Sequence, residues 1–174
     1  MKNSPLLLRR EQALGVGAEL FYDEPLHIVR GEGAYLYDAD GRRYIDMYNN
    51  VPCVGHGNPV VAEAMARQQG TLNVHSRYLH EGIVSFAERL TGLQHDGIES
   101  AIFSCSGTEA VEVAIEIARV ATGTRGIVCT DSTYHGSSAF VGQLSYMGRT
   151  SCESDEIRAF PFPEMYRPLV EGAD

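Results

Sequence analysis

Lysine is nearly missing from this sequence: Lys2 is the only one in 174 residues, and it stands at a chain end, where order is usually lost. Basic residues as a group number 14 against 23 acidic ones, for a formal net charge of −9. Binding to nucleic acid or to an anionic membrane rests on clustered Lys and Arg, so neither is expected as a partner. No apolar run approaches the roughly 20 residues that a membrane span needs, and Leu6-Leu7-Leu8 is too short for a secretory core, which makes the cytoplasm the expected location. Cys53, Cys105, Cys129 and Cys152 are far apart and include no C-x-x-C pair. They give neither a zinc site nor a disulfide framework, and are expected to be unbridged thiols with no metal bound. Internal repeats and low-complexity stretches are lacking too. With 44% hydrophobic and 21% charged residues, what remains is one ordinary globular domain or a piece of a larger one.

The hydrophobic period changes along the chain. A helix with a polar start is expected within the first twenty or so residues. Short β-like runs follow at Leu26–Val29, Ala34–Tyr37 and Arg43–Met47. Asp38-Ala39-Asp40-Gly41 between two of them is a hairpin signal, since Gly supplies the positive φ of a tight turn. These runs predict a small antiparallel sheet. Asn58-Pro59 is an N-cap and first-turn pair for a helix that ends near Gly70, and Ile83, Phe86, Ala87 and Leu90 mark one face of a second helix ending at Gly92. A strand at Ser100–Ser104, a helix from Gly107 to about Ala121, a break at Gly123 and a strand at Gly126–Thr130 then spell a βαβ crossover with parallel strands. The fold class is α/β. Along the long helix Glu109, Glu112, Glu116 and Arg119 form one polar stripe, and the apolar remainder predicts packing over most of its circumference.

Ser106-Gly107-Thr108-Glu109-Ala110 sits where a strand ends and a helix begins. Unpaired helix N–H groups and the positive end of the helix dipole both favour an anion there. Gly107 lets a phosphate approach the backbone, and the Thr108 hydroxyl offers another donor. The same residues have capping-box spacing, Ser106 with Glu109, so a plain helix cap competes with this reading. The next strand runs into Tyr134-His135-Gly136, which delivers an aromatic ring and an imidazole to a loop beside the proposed phosphate site. A Tyr ring suits stacking on a flat heteroaromatic ligand. His135 is equally well read as a hydrogen-bonded loop histidine. A nucleotide site is the weaker third reading, because G-x-G-x-x-G and the P-loop Gly-Lys-Ser/Thr are both lacking.

Four motifs taken in order, Gly33–Asp46, Gly55-His56-Gly57-Asn58-Pro59, Ser106–Ala110 and Tyr134-His135-Gly136, resemble the N-terminal motifs of class III aminotransferases. The resemblance runs from about Pro25 to the end. Asn73–His80 and Pro161–Arg167 are most similar to the branch that holds alanine–glyoxylate aminotransferases and phospho-lyases acting on phosphoethanolamine-like substrates. It implies part of the type I fold of pyridoxal 5'-phosphate enzymes: a small antiparallel sheet followed by the first βαβ units of a mostly parallel large-domain sheet. Residues 1–55 would then contribute to the small domain and residues 56–174 to the cofactor-binding large domain. Ser106, Gly107 and Thr108 would hold the cofactor phosphate, Tyr134 would cover the pyridine ring and His135 would border it. Asn50, Val51 and Tyr78 would face the substrate, Tyr78 being equally well read as packing.

The resemblance implies transfer of an amino group from an amine or amino acid to a 2-oxo acid by a homodimer, using pyridoxal phosphate. The family chemistry needs a Schiff-base lysine and a carboxylate opposite the pyridine nitrogen. Both lie downstream of the matched segment in the family, so no catalytic residue is assigned here and the 174-residue chain alone is expected to be inactive. Elimination of phosphate and ammonia from an amino-alcohol phosphate is the alternative enzyme reading. A non-catalytic half-protein that binds or docks is the alternative outside enzymes.

Overall fold

The computed structural model describes residues 4–17, 20, 22–49, 52–145, 154–163 and 166. The chain divides into two compact units, Met1–Leu79 and His80–Asp174.

In the first unit Pro5, at the first helical position after Ser4, opens helix α1 (Pro5–Leu14), and Gly15 at φ +81° ends it. Strands β1 (Ile28–Glu32), β2 (Tyr35–Asp38) and β3 (Arg43–Ile45) form the expected antiparallel sheet in the order β1-β2-β3. A bulge between Ile28 and Arg30 shifts the first pairing by one residue. The β2–β3 turn is held by Asp38, whose Oδ1 accepts the amides of Asp40 at 3.0 Å and Arg42 at 2.8 Å, while its Oδ2 accepts the Tyr44 hydroxyl at 2.7 Å. Gly41 at φ +81° closes the turn. Helix α2 (Pro59–Thr71) starts as the Asn-Pro pair predicts: the Asn58 side chain accepts from the amides of Val60 and Val61, a cap worth about 1 kcal/mol. Gly70 is its penultimate residue.

The second unit opens with α3 (Glu81–Thr91), capped by the His80 side chain on the Gly82 amide and ended by Gly92. Helix α4 (Gly107–Thr122) ends on Gly123 in the left-handed conformation. Strand β4 (Ile127–Thr130) pairs in parallel with β5 (Ile157–Phe160), Ile127 opposite Ile157. The connection between them carries a 3-10 turn at Val141–Leu144. All four buried apolar side chains among the described residues, Cys129, Val141, Leu144 and Ile157, belong to this unit. Ile115, Ile127 and Phe140 pack around three of them. Cys53, Cys105 and Cys129 form no disulfide, and Cys152 lies outside the described residues.

One expectation is corrected. Residues 100–104 form no strand. A strand exists by its hydrogen bonds to a neighbour, and this segment instead turns an apolar side chain to α3, where the Phe103 ring stacks on Phe86 at 5.3 Å. Within this chain no residue of helix α4 is fully buried. It packs along one face, through Thr108, Val111, Glu112, Ile115 and Arg119, and leaves Ile117 and Val120 exposed. The polar stripe is thereby split, with Glu112 and Arg119 on the packed face and Glu109 and Glu116 on the exposed one.

Arg119 explains its own side of that split. Its Nη2 donates to Glu156 at 2.7 Å, its guanidinium lies 4.4 Å from the Phe140 ring centre, and Arg125 donates to the same carboxylate from its Nε at 2.5 Å. The end of α4 is thus tied to the start of the β4–β5 ladder.

Ile157 is 1% exposed and Val128, on the paired strand, is 70% exposed. Ile157→Ala is expected to lower the stability of the second unit by about 2–5 kcal/mol and Val128→Ala by roughly 0.5 kcal/mol or less, read by urea denaturation. Equal losses would show that Ile157 is not its core.

Candidate functional site

The start of α4 is both a cap and an open donor cluster. Ser106, extended at φ −153°, accepts the Glu109 amide on its Oγ at 3.1 Å. The Glu109 carboxylate reaches back to accept the Cys105 amide at 2.8 Å. The competing cap is therefore formed, and it occupies one of the first amides. Among the described residues no acceptor meets the amides of Gly107 or Thr108. Nothing lies within 4 Å of where a Cβ on Gly107 would stand. Two unpaired donors at a helix N-terminus, beside a hydroxyl and in open space, fit a phosphate monoester.

The loop after β4 is folded back onto this turn. Ser132 adopts φ +55°, and Thr133 Oγ1 donates to the carbonyls of Thr130 at 2.9 Å and Leu144 at 3.2 Å. Ser145 Oγ accepts the His135 amide at 3.0 Å and donates to the Gly136 carbonyl at 2.9 Å. Gly136, buried and at φ +144°, has no room for a side chain: a Cβ would stand 2.6 Å from Thr108 Oγ1 and 2.9 Å from Val141 Cγ1. The Tyr134-His135-Gly136 loop and the Ser106-Gly107-Thr108 turn therefore meet at Thr108. They do so without the strand pairing from which their proximity was expected. The Tyr134 ring is exposed and His135 is half-buried.

The remaining predicted residues belong to the first unit or lie outside the described residues. Tyr78 belongs to the first unit, where its amide donates to the His75 carbonyl at 3.0 Å and its ring is exposed. Asn50 and Val51 lie outside the described residues.

The first unit holds a constellation that pattern reading missed. Asp46, 5% exposed at its side chain, accepts from His56 Nε2 on Oδ2 at 2.7 Å. Its Oδ1 accepts the amides of Tyr48 and Asn49 and the Asn49 side-chain amide at 2.9–3.1 Å. Gly33 and His56 exchange backbone hydrogen bonds at 2.8 and 2.9 Å. A Cβ on Gly31 would fall 2.7 Å from the His56 side chain, and one on Gly55 2.9 Å from the Gly33 backbone. Glycines on both sides thus clasp His56 onto Asp46, beside a cavity of about 370 Å³ lined by Gly33, Asn49, Pro52 and Cys53. The two Gly-x-Gly triplets were the available signal. Their partnership spans 24 residues and has no local period.

Residues 21–169 match the family described as Aminotransferase class-III. This chain belongs to that family. Class III aminotransferases use pyridoxal phosphate. An alanine–glyoxylate aminotransferase 2-like protein of Drosophila melanogaster is 35% identical over 90% of this chain and 33% of its own length. An ethanolamine-phosphate phospho-lyase homologue of Caenorhabditis elegans is 29% identical over 97% of this chain and 37% of its own. The solved structure of a phospholyase from Arthrobacter in complex with phosphoethanolamine superposes with a TM-score of 0.81 at 40% identity, over 91% of this chain and 38% of that one. The fold is that of type I pyridoxal-phosphate enzymes. The chain spans about a third of the length of these relatives.

The Asp46 carboxyl is held well below the usual carboxylate range, first by the Asn49 amide and then by the His56 ring. A carboxyl whose folded value lies below its unfolded one stabilises fully above the unfolded value, about 4, and loses that contribution as pH falls toward the folded value. Asp46→Asn is therefore expected to cost a constant amount of stability between about pH 5 and 7, and progressively less below about pH 4. Denaturation curves of both proteins at graded pH check this, and a gap that widens on acidification would contradict it.

Proposed function

We propose that the protein carrying this chain is a pyridoxal-phosphate-dependent enzyme that moves an amino group from an amine or amino acid to a 2-oxo acid, with residues 106–108 as the seat for the cofactor phosphate. The observation that carries the reading is the pair of unpaired amides at Gly107 and Thr108, closed from one side by Gly136. Family membership gives that seat its occupant. When bound, the cofactor supplies an electron sink for the substrate.

The chain's own residues bind and orient. The amides of Gly107 and Thr108 and the Thr108 hydroxyl donate to the phosphate, aided by the positive end of the α4 dipole. Tyr134 lies over the ring and His135 borders it. Asn50, Val51 and Tyr78 face the substrate. Within these 174 residues Lys2 is the only lysine, so turnover is assigned to the whole protein, acting as a cytoplasmic homodimer, and not to this segment alone. Exposed apolar side chains such as Phe86, Ile117 and Val120 support burial against more protein.

Elimination of phosphate from an amino-alcohol phosphate is the second reading. It is supported by the likeness to the Arthrobacter phospholyase, 40% identical over 91% of this chain. Offering the whole protein phosphoethanolamine, and separately an amino acid with a 2-oxo acid, separates the two. Release of inorganic phosphate would replace the transaminase reading, whereas a new amino acid would sustain it.

Thr108→Val removes one hydroxyl donor to a charged group and is expected to weaken pyridoxal phosphate binding by roughly tenfold to a hundredfold. Fluorescence titration of the cofactor reads this. Unchanged affinity would remove Thr108 from the seat.

A further inference from the structure

We propose that Glu112 and Ser138 are a positioning pair that sets the geometry of the phosphate seat from below. The inference rests on the reading of residues 106–108 given above and adds the device that holds their second wall in place.

Glu112 lies one helical turn beyond Thr108 on the packed face of α4, so the two side chains are neighbours at i and i+4. Its Oε1 accepts the Ser138 hydroxyl at 2.5 Å, and both groups are partly buried. Ser138 Oγ in turn accepts the Val141 amide at 3.3 Å, and the Ser138 carbonyl accepts the Gly142 amide at 2.8 Å. These bonds anchor the start of the 3-10 turn at Val141–Leu144. Val141 is fully buried, and its Cγ1 fills the space beside Gly136 opposite Thr108. The links close a ring: Thr108, Glu112, Ser138, Val141, Gly136 and back to Thr108.

The identity of the acceptor matters. An ionised carboxylate only accepts, so the Ser138 hydroxyl must donate to it, which turns the hydroxyl lone pairs to the Val141 amide. A glutamine supplies the same oxygen but also an NH₂ that competes with that orientation. A negative charge one turn from a phosphate seat is otherwise unfavourable. Its presence on the packed face, in place of a neutral side chain, is accounted for by this hydrogen-bond direction.

The test uses the whole protein with two readouts: amide hydrogen exchange of residues 133–138 in the cofactor-free form, and the dissociation constant for pyridoxal phosphate. Glu112→Ala and Ser138→Ala are each expected to speed exchange in 133–138 and to weaken the cofactor by about tenfold. The double variant is expected to be no weaker than the worse single one, because both remove the same link. Glu112→Gln, which keeps the oxygen but adds a competing NH₂, should recover only part of the loss, and full recovery would overturn the role given to the carboxylate. Multiplicative losses in the double variant, unchanged exchange, or exchange raised evenly through α4 and the β4–β5 ladder would each overturn the pair. If Thr108→Val leaves the cofactor constant unchanged while the exchange pattern is as expected, the seat is wrong and the pair stands as a loop anchor only.

Discussion

The second unit is organised by the approach of one backbone to one side chain. Gly136 lies so close to Thr108 that a single added carbon would stand 2.6 Å from the threonine oxygen. That closeness puts the loop after β4 against the first turn of α4, and it needs Gly for both space and a φ of +144°. Around it polar atoms fix the loop from three directions: Thr133 to the strand end, Ser145 to the His135 and Gly136 backbone, and Ser138 to the helix. An anion seat made from main-chain donors is only as well defined as the chain around it, so these side-chain links decide whether two amides form a seat or a frayed helix start.

The first unit reaches a similar end by the same means. Gly31 and Gly55 let His56 come down on Asp46, and the carboxylate is then filled by four donors. In both units an acidic side chain anchors a turn beside a glycine that admits a close neighbour. The acidic excess of the sequence is thus partly structural, since Asp38, Asp46, Glu112 and Glu156 each hold a local geometry together.

Signals whose cause is local act in the structure as their chemistry requires. Asn58-Pro59, Ser106 and Gly123 cap their helices as their chemistry requires, and Asp38–Gly41 turns the hairpin. The meeting of Ser106–Thr108 with Tyr134–Gly136 was expected from a pairing of their preceding strands, and it occurs without that pairing. What failed depended on partners distant in the chain. An apolar run at 100–104 has strand character, but only a neighbour makes it a strand. A glutamate every three or four residues looks solvated until one of them finds Ser138, 26 residues away. Asp46 and His56 stood in separate motifs, and nothing in either shows that they face each other.

The ladder of β4 and β5 has a consequence for how this chain behaves in solution. Among the described residues it is a sheet of only two parallel strands, so each strand carries a rim of amide and carbonyl groups turned outward. Backbone rims accept any strand of compatible length, with little regard for its side chains. Material prepared from these residues therefore has a sequence-blind route to self-adhesion that polishing its apolar surface would not remove, and that further strands would only carry outward to a new rim unless a helix or loop covers it.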